Sequence, residues 1–518
     1  MKTNKMFLGL LTAGILFSCT NEDDAVVNNV AGETKTSYIA VNVNSAYDAT
    51  RADYAEGTAE EQKVNNAIFF FFDNAGSAFN VSSEIGGTGV NYIVKNDLTD
   101  KGNAPDNVET ITNAVLTIKN NKNANPAKVV AVVNWDYAGA SLALSELKAK
   151  LVAEAEANGA KGFVMSNSVY LSGVDVMDAT PITVANISSN ETGAMASPVD
   201  IYVERVSAKV TATLEGLNAN NLYDTGIENP YGSGNLCVKV LGWDLNTTMS
   251  HSNLVKAIEP SWTDASTGIT GWNIEAYKRS FWAKSVAVGG EVTLNKDFTW
   301  NSLDNAVDAA DYCLENTSGT NTKVLVKAQI TDEAGNAVSV VKLLGEYVTV
   351  EGLKNSIAAA LASKYYAFDG TSTYTSIAPE DIELVAAGTS GVDSYTVTYK
   401  LTAAAEAKAW NVKSGDTYVA TTAADVNSSL DALEHAQVWN EGMAYYYADI
   451  KHLGTATGVV RNHSYGFNVT AIEGLGTPVY NGDQNVEEPV TPSDTESFIS
   501  ARINVLTWKL VNQNVVLK

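Results

Sequence analysis

Apolar and polar residues alternate through most of this chain with the two-residue period of a half-buried strand, and the alternation changes phase at a few informative places. Near the start, Ile39, Val41 and Val43 alternate with Tyr38, Ala40 and Asn42 and predict a strand. Residues 63–73 carry a nearly unbroken apolar run through Phe69, Phe70, Phe71 and Phe72, the pattern of a buried strand. Further strands are predicted at 110–118, 127–135, 163–166 and 181–185. Residues 199–214 read as one long strand whose buried face switches. Val199, Ile201 and Val203 hold one parity, and Val206, Ala208, Val210, Ala212 and Leu214 hold the other, with the flip at Glu204 and Arg205. A chain passing from one core into a second needs such a switch, so a domain boundary is expected there. Beyond it, 237–245, 323–330, 337–344, 416–419 and 443–450 read as strands.

Helical spacing is sparse. Ser141 can cap a helix carrying Leu144, Leu147 and Leu151 that ends near Asn158 and Gly159. Leu353, Ile357 and Leu361 mark a second helix with Gly352 near its start, and a third surrounds Leu430 and Leu433. Residues 73–76 are a turn. No repeat of fixed period occurs, and the helices read as insertions in a β-framework.

The two ends carry their own patterns. Lys2 and Lys5, an apolar run, and Leu16-Phe-Ser-Cys19 form a signal peptide ending in a lipobox, at which the cysteine is lipidated and the chain cut before it. The run is too short for a permanent membrane span. Arg51, set between the first strand and a polar loop that begins at Ala52, is a target for a trypsin-like protease or an ordinary surface arginine. At the other end Ile499, Ala501, Ile503 and Val505 alternate with polar residues. The apolar face then continues on the other parity through Leu506, Trp508 and Leu510, with Val511, Val515 and Leu517 beyond. Residues 480–494 read as an exposed linker ahead of it. An apolar strand on such a leash either closes its own sheet or is offered to another molecule.

At 518 residues two or more domains are expected. A net charge of −25 argues against nucleic acid and anionic lipid headgroups as direct partners. With Cys19 committed to lipid, Cys237 and Cys313 are left either to pair or to stay as buried thiols. The histidines at 251, 435, 452 and 463 have no metal-ligand spacing, and there is no phosphate loop or nucleophile elbow. His463 reads as a turn or strand-end hydrogen-bonding residue. The carboxylate pairs Glu60–Glu61 and Glu380–Asp381 read as solvated loop positions, not glycosidase chemistry. No catalytic residue, metal or cofactor is expected, and the protein reads as not an enzyme.

Several segments resemble a known family. Val459-Val-Arg-Asn-His-Ser-Tyr465 followed by Ile472-Glu-Gly-Leu-Gly-Thr-Pro-Val479 is similar to the carboxyl-terminal signature of the Bacteroidales fimbrilins. Tyr312-Cys-Leu-Glu-Asn-Thr317, Val203-Glu-Arg-Val-Ser-Ala-Lys-Val210 and Met443-Ala-Tyr-Tyr-Tyr-Ala-Asp-Ile450 also resemble family segments. The residues from Ser497 to Leu510 resemble the tail of a minor-fimbrium shaft subunit, a type V pilin.

The resemblance implies an all-β fold with helical insertions, arranged as two transthyretin-like β-sandwich domains in tandem. It implies a signal peptide at 1–18, a lipidated propeptide at 19–51, sandwiches at 52–203 and 204–480, and a linker with donor strand at 481–518. Lipidation would fall at Cys19. An arginine-specific surface protease would cut between Arg51 and Ala52 and release the strand with Ile39, Val41 and Val43. The neighbour's carboxyl-terminal strand, with Ile503, Val505, Leu506, Trp508, Leu510, Val511, Val515 and Leu517, would fill the groove and build a polymer. The chain would be exported through the inner membrane as a lipoprotein, reach the outer membrane and end in an extracellular fimbria. Its partners would be other copies of itself, anchor and tip subunits, and host or bacterial surface receptors. Two rival roles are an anchor or tip adhesin of the same pilus and a surface glycan-binding lipoprotein. Trp243, Trp282 and Trp508, however, sit in strand-like runs where core packing is the default.

Overall fold

The computed structural model describes residues 35–46, 57–82, 89–96, 98–100, 108–120, 124–258, 273–274, 279–317, 319–388, 396–452, 457–486, 499–500, 504–506 and 509–517. Its first half contains strands β1 (Lys35–Ala46), β2 (Ala67–Phe72), β3 (Tyr92–Lys95), β4 (Val108–Asn120), β5 (Lys128–Val133), β6 (Met165–Asn167) and β7 (Val199–Arg205). They form one sheet in the order β3-β2-β5-β6-β7-β1-β4, completed by two-residue strands such as Ile187–Ser188 on β1. The sheet curls until its ends meet. Val81 accepts from Lys119 N–H at 2.9 Å, and two residues earlier Phe79 N–H donates to Phe71 O at 2.9 Å. The enclosed face buries Ile39, Val41, Phe69, Phe71, Leu116, Ile118, Ala131 and Ile201. The outer face of β2 and β5 is covered too: Ile68, Phe70, Phe72, Val130 and Val132 pack with Leu144, Leu147, Leu254 and Val255. Burial on both faces is why these strands carry unbroken apolar runs.

The chain leaves this sheet at Arg205 and enters a second at Ser207, so the parity flip at Glu204 and Arg205 marks the crossing. The second half contains β8 (Ser207–Leu214), β9 (Tyr223–Glu228), β10 (Asn235–Asn246), β11 (Ala310–Leu314), β12 (Lys323–Thr331), β13 (Met443–Asp449), β14 (Ser464–Ile472) and β15 (Lys509–Leu517). One sheet runs β11-β8-β14-β15 and the other β9-β10-β12-β13. Val210, Ala212, Phe467 and Val469 of the first meet Val238, Trp243, Val326, Ala328 and Tyr446 of the second in one core, which makes a β-sandwich. Residues 340–439 are inserted into it and form a body with its own core, built on Leu353, Ile357, Tyr365, Tyr399, Trp410, Val426 and Leu430 between two small sheets and three helices. The fold is all-β with helical insertions.

Local departures from the sequence reading have physical causes. The helix expected from Ser141 is split into Leu144–Lys148 and Glu154–Ala157, the second ending at Asn158 as expected, because Leu151–Ala153 between them pairs as a strand with His251–Asn253. Ser141 Oγ accepts from Asn91 N–H at 3.1 Å instead of capping. Strand at 181–185 stops at Pro181, where Asn186 Oδ1 accepts from Thr183 N–H at 2.9 Å and tightens a 3₁₀ turn. The linker expected from residue 480 begins later. Tyr480 donates to Leu384 O at 2.7 Å, and Val486 is buried and donates through its N–H to Phe298 O at 2.8 Å. The helix at Val350–Leu361 is as expected, with Thr349 Oγ1 accepting from Gly352 N–H at 2.9 Å.

Candidate functional site

Strand β1 lies between two neighbours. It runs antiparallel to β4 in a register from Lys35 opposite Asn120 to Ala46 opposite Val108, and parallel to β7 from Val41 opposite Val199 to Ser45 opposite Val203. Its first half is flanked on the β7 side by Ile187–Ser188, and the short helix Glu191–Ala196 packs against it. Ile39 and Val41 are fully buried in the enclosed core, and Ser37 and Ala40 are buried as well. The backbone of Val43 is paired on both sides, opposite Thr112 and Ile201. The strand thus supplies part of a core and satisfies two ladder edges at once.

Cys19, Arg51 and Ala52 lie outside the described residues. The chain is described again from Gly57, and there it is anchored. In helix Ala59–Gln62, Thr58 and Glu61 cap each other. Glu61 Oε1 accepts from Lys209 Nζ at 2.7 Å and from Tyr312 Oη at 2.5 Å, and Arg205 Nε donates to Glu61 O at 2.9 Å. Burial alone would raise the Glu61 pKa, but the hydrogen bonds from Lys209, Tyr312 and Thr58 outweigh it and hold the carboxyl below its usual range. The solvated-pair reading is corrected here. Glu60 is exposed while Glu61 is buried, and Asp381 is likewise buried, paired with Lys408 at 2.5 Å, while Glu380 is exposed. A helical turn aims one member of each pair inward and its neighbour outward.

The anchor belongs to a buried polar seam between the curled sheet and the sandwich. Arg461 donates to Glu315 through Nε at 2.8 Å and Nη2 at 2.5 Å, and through Nη2 to Asn253 O at 2.5 Å. Lys256 Nζ meets Glu204 Oε2 at 2.5 Å, with both groups buried. Asn462, at φ 56°, accepts from Arg205 Nη1 at 3.1 Å. Tyr465 Oη donates or accepts at His452 Nδ1, 2.9 Å away, and accepts from Val460 N–H at 2.8 Å. His463 Nδ1 sits 2.8 Å from Arg461 O, the strand-end role expected of it. The segment 459–465 singled out by sequence is therefore the seam's densest part. Sequence reasoning missed Lys256 and Glu315, whose only signal is a charge beside apolar residues, and misread Glu61, which stands in a polar stretch.

At the carboxyl end, β15 runs parallel to β14 from Leu510 opposite Ser464 to Leu517 opposite Ile472. Its other edge is covered by the chain just before it: Asn504–Leu506 opposite 509–511, and Ile499–Ser500 opposite Leu517 and Val516. Val505, Leu506, Leu510, Val511, Val515 and Leu517 thus lie in strands, while Ile503 and Trp508 fall outside the described residues. Trp243 is a core residue, donating through Nε1 to Ala306 O at 2.9 Å. No group of three or more His, Cys, Asp or Glu fit to hold a metal occurs among the described residues.

Comparison with known proteins bears on this carboxyl-terminal part. Residues 437–514 match the family model described as major fimbrial subunit protein type IV, fimbrillin, C-terminal. No curated protein matches the chain. Among solved structures it is similar to a fimbrilin from Porphyromonas gingivalis W83, with 13% identity over 94% of this chain and 97% of that one, at a TM-score of 0.33. A fimbrial assembly protein from Parabacteroides distasonis ATCC 8503 gives 12% identity over 59% and 88%, at 0.32. A fimbrial anchor protein from Porphyromonas gingivalis gives 10% over 74% and 99%, at 0.23. The matched stretch contains both signature segments, 459–465 and 472–479, so the likeness to the fimbrillins lies in the carboxyl-terminal region of the chain.

Proposed function

We propose that this protein is the shaft subunit of a surface fimbria, polymerising by strand exchange that a protease triggers. One observation carries the reading: β1 is a complete interior strand, and the first arginine after it is Arg51, so a single cut there detaches one whole strand of the sheet together with the leader that precedes it. Burying Ile39 and Val41 stabilises the uncut chain by roughly 1.5–3 kcal/mol each. While tethered, β1 rebinds as an intramolecular ligand at high effective concentration; once cut, it is a separate peptide that diffuses away. The slot left behind offers an apolar floor, a parallel edge on β7 and an antiparallel edge on β4, which suits an incoming strand.

The carboxyl-terminal strand supports the same reading. β15 already bonds in that mode, parallel to β14 on one side and antiparallel to short strands on the other. Donating it to another copy requires leaving β14, so exchange is downhill only when the empty slot holds the tail better than its own sheet does. Lipidation at Cys19 would keep the uncut chain at the outer membrane, and the cut would release it into the filament, where anchor and tip subunits are its further partners. Arg51→Ala tests the reading: the variant should stay a lipidated, membrane-bound monomer. Abundant filaments in which Ala52 remains internal to the chain would refute it.

A further inference from the structure

Residues 497–504 of the tail repeat the pattern of β1 position by position. β1 reads Ser37-Tyr-Ile-Ala-Val-Asn-Val-Asn44, and the tail reads Ser497-Phe-Ile-Ser-Ala-Arg-Ile-Asn504. Serine, isoleucine and asparagine recur at the first, third and last positions, an aromatic ring at the second, a small residue at the fourth and a β-branched residue at the seventh. We infer that residues 497–504 are the segment that enters the β1 slot of a second copy, in the register that places Ile499 where Ile39 lies. The inference rests on the strand-exchange reading above and fixes its partner and its register.

The slot says why these positions matter. Its floor faces Ser37, Ile39 and Val41, of which Ile39 and Val41 are fully buried, and Val43 continues the same parity. In the inferred register the floor receives Ser497, Ile499, Ala501 and Ile503. Ala501 is smaller than Val41 and Ile503 larger than Val43, so the apolar volume is roughly conserved along the strand. The opposite face is equally selective. Ala40 is 5% exposed, so position 40 calls for a small side chain. Ser500 meets that demand. The rival register, Ile503 on Ile39, puts Asn504 there, replaces the ring of Tyr38 with Arg502 and leaves Thr507 in place of Val43.

In the isolated chain Ile499–Ser500 and Asn504–Leu506 pair with β15. Moving into a neighbour trades that single edge for the two edges of β4 and β7, so the segment gains a second ladder on assembly. The remaining tail, from Val505 onward, then follows the direction of β7 toward the seam of the receiving copy.

Disulfide trapping reads the register. Ala40 faces Val115 across β1 and β4. Full-length chains carrying Val115→Cys with either Ser500→Cys or Asn504→Cys are processed, assembled and oxidised; the native Cys237 and Cys313 are buried and do not interfere. The inference expects a ladder of covalent multimers on a non-reducing gel for the pair with Ser500→Cys and monomers for the pair with Asn504→Cys. The reverse result overturns the register while leaving strand exchange intact. Filaments from both variants with no cross-link in either also overturn it. If the cysteine variants fail to fold, a synthetic peptide of residues 495–506 added to the processed wild-type chain replaces them. It should stop filament growth, and the same peptide with Ile499→Asp should not; equal effects of the two peptides overturn the inference. A wild-type chain that is cut at Arg51 and never polymerises defeats the underlying reading instead.

Discussion

Strands β1 and β15 are both terminal, both apolar and both parallel to one neighbour, but they are held in opposite ways. β1 is stitched along both edges to segments far away in sequence, with β4 opposite it from Lys35 to Ala46. β15 has one distant partner, β14, and its other edge is covered by residues that immediately precede it. Removing β1 opens a slot inside a closed sheet and uncovers a core, whereas removing residues 499–517 takes away a strand together with its own cover and leaves one edge. A strand of the first kind cannot be lost without replacement, and a strand of the second kind can be lent.

The largest effect follows from that asymmetry. Ile39→Asp puts an uncompensated charge into the enclosed core and should cost several kcal/mol, enough to remove the first melting transition of the uncut chain. Truncation after Asp494 should leave the monomer's melting curve nearly intact while abolishing filaments, and Trp508→Asp should also stop assembly without unfolding the monomer. If truncation collapses the monomer as Ile39→Asp does, the contrast between the strands is wrong and β15 is as integral as β1. Calorimetry and a filament assay on the same preparations decide.

Next comes the seam against which both halves lean. Arg461→Met leaves Glu315 buried with its charge unmatched and should destabilise by about 3–5 kcal/mol. Adding Glu315→Leu should recover much of that loss, because a buried pair exchanged for apolar groups is often close to neutral. A double variant as unstable as the single one would mean that Glu315 has partners worth more than Arg461, and would shift weight to Ser252, which donates to Glu315 at 3.0 Å.

How much of this was legible in the sequence depends on the interaction involved. The unbroken run at Phe69 to Phe72 and the parity flip at Glu204 report directly which faces are buried, because side-chain period and burial are linked by strand geometry. The inserted body at 340–439 was visible only as separate helices and short strands, since nothing in a linear pattern says that Leu353 and Trp410 share a core. Leu151 fits a helical stripe, and only its distant partner strand at 251–253 makes it β. Glu61 and Asp381 look like surface carboxylates until Lys209 and Lys408 arrive from elsewhere in the chain. Of the candidate site, the apolar strand at Ile39 and Val41 was clear, whereas its place between β4 and β7 is non-local and was not.

A smaller effect is pH-dependent. Asp244 on β10 has its pKa raised to about 6, first by burial and then by the charges of Asp311 and Asp304. The folded chain therefore holds this proton more tightly than the unfolded chain, whose Asp titrates near 3.9. The stability it contributes is present below about pH 4 and is lost as pH rises through about 6. Asp244→Asn, which keeps an acceptor for Leu245 N–H, should flatten that slope and raise stability at pH 8 by on the order of 1 kcal/mol. Melting curves at pH 4, 6 and 8 check it. A steeper slope in the variant would mean the carboxylate is stabilised as an anion, and that the sandwich holds its charges as tightly as the seam does.

The smallest expected effect is none at all, and it bears on whether the sandwich can lend a strand. Cys237 on β10 and Cys313 on β11 are both free and buried, so the sandwich that carries β14 and β15 has no covalent bridge. Burial pushes both thiols up, Cys313 well above the ordinary thiol value, which keeps them protonated and unreactive at neutral pH. A core of this size does not need a crosslink, because Val238, Trp243, Val326, Phe467 and their neighbours already bury it. A reductant should therefore leave the melting temperature unchanged, both in the full chain and after truncation at Asp494. Two thiols should react with a labelling reagent in denaturant and neither in buffer. If instead a reductant lowers the melting temperature of the truncated chain alone, a bridge forms once the tail is gone. The sandwich would then be holding itself closed covalently after lending β15, and packing alone would not be what makes that strand dispensable.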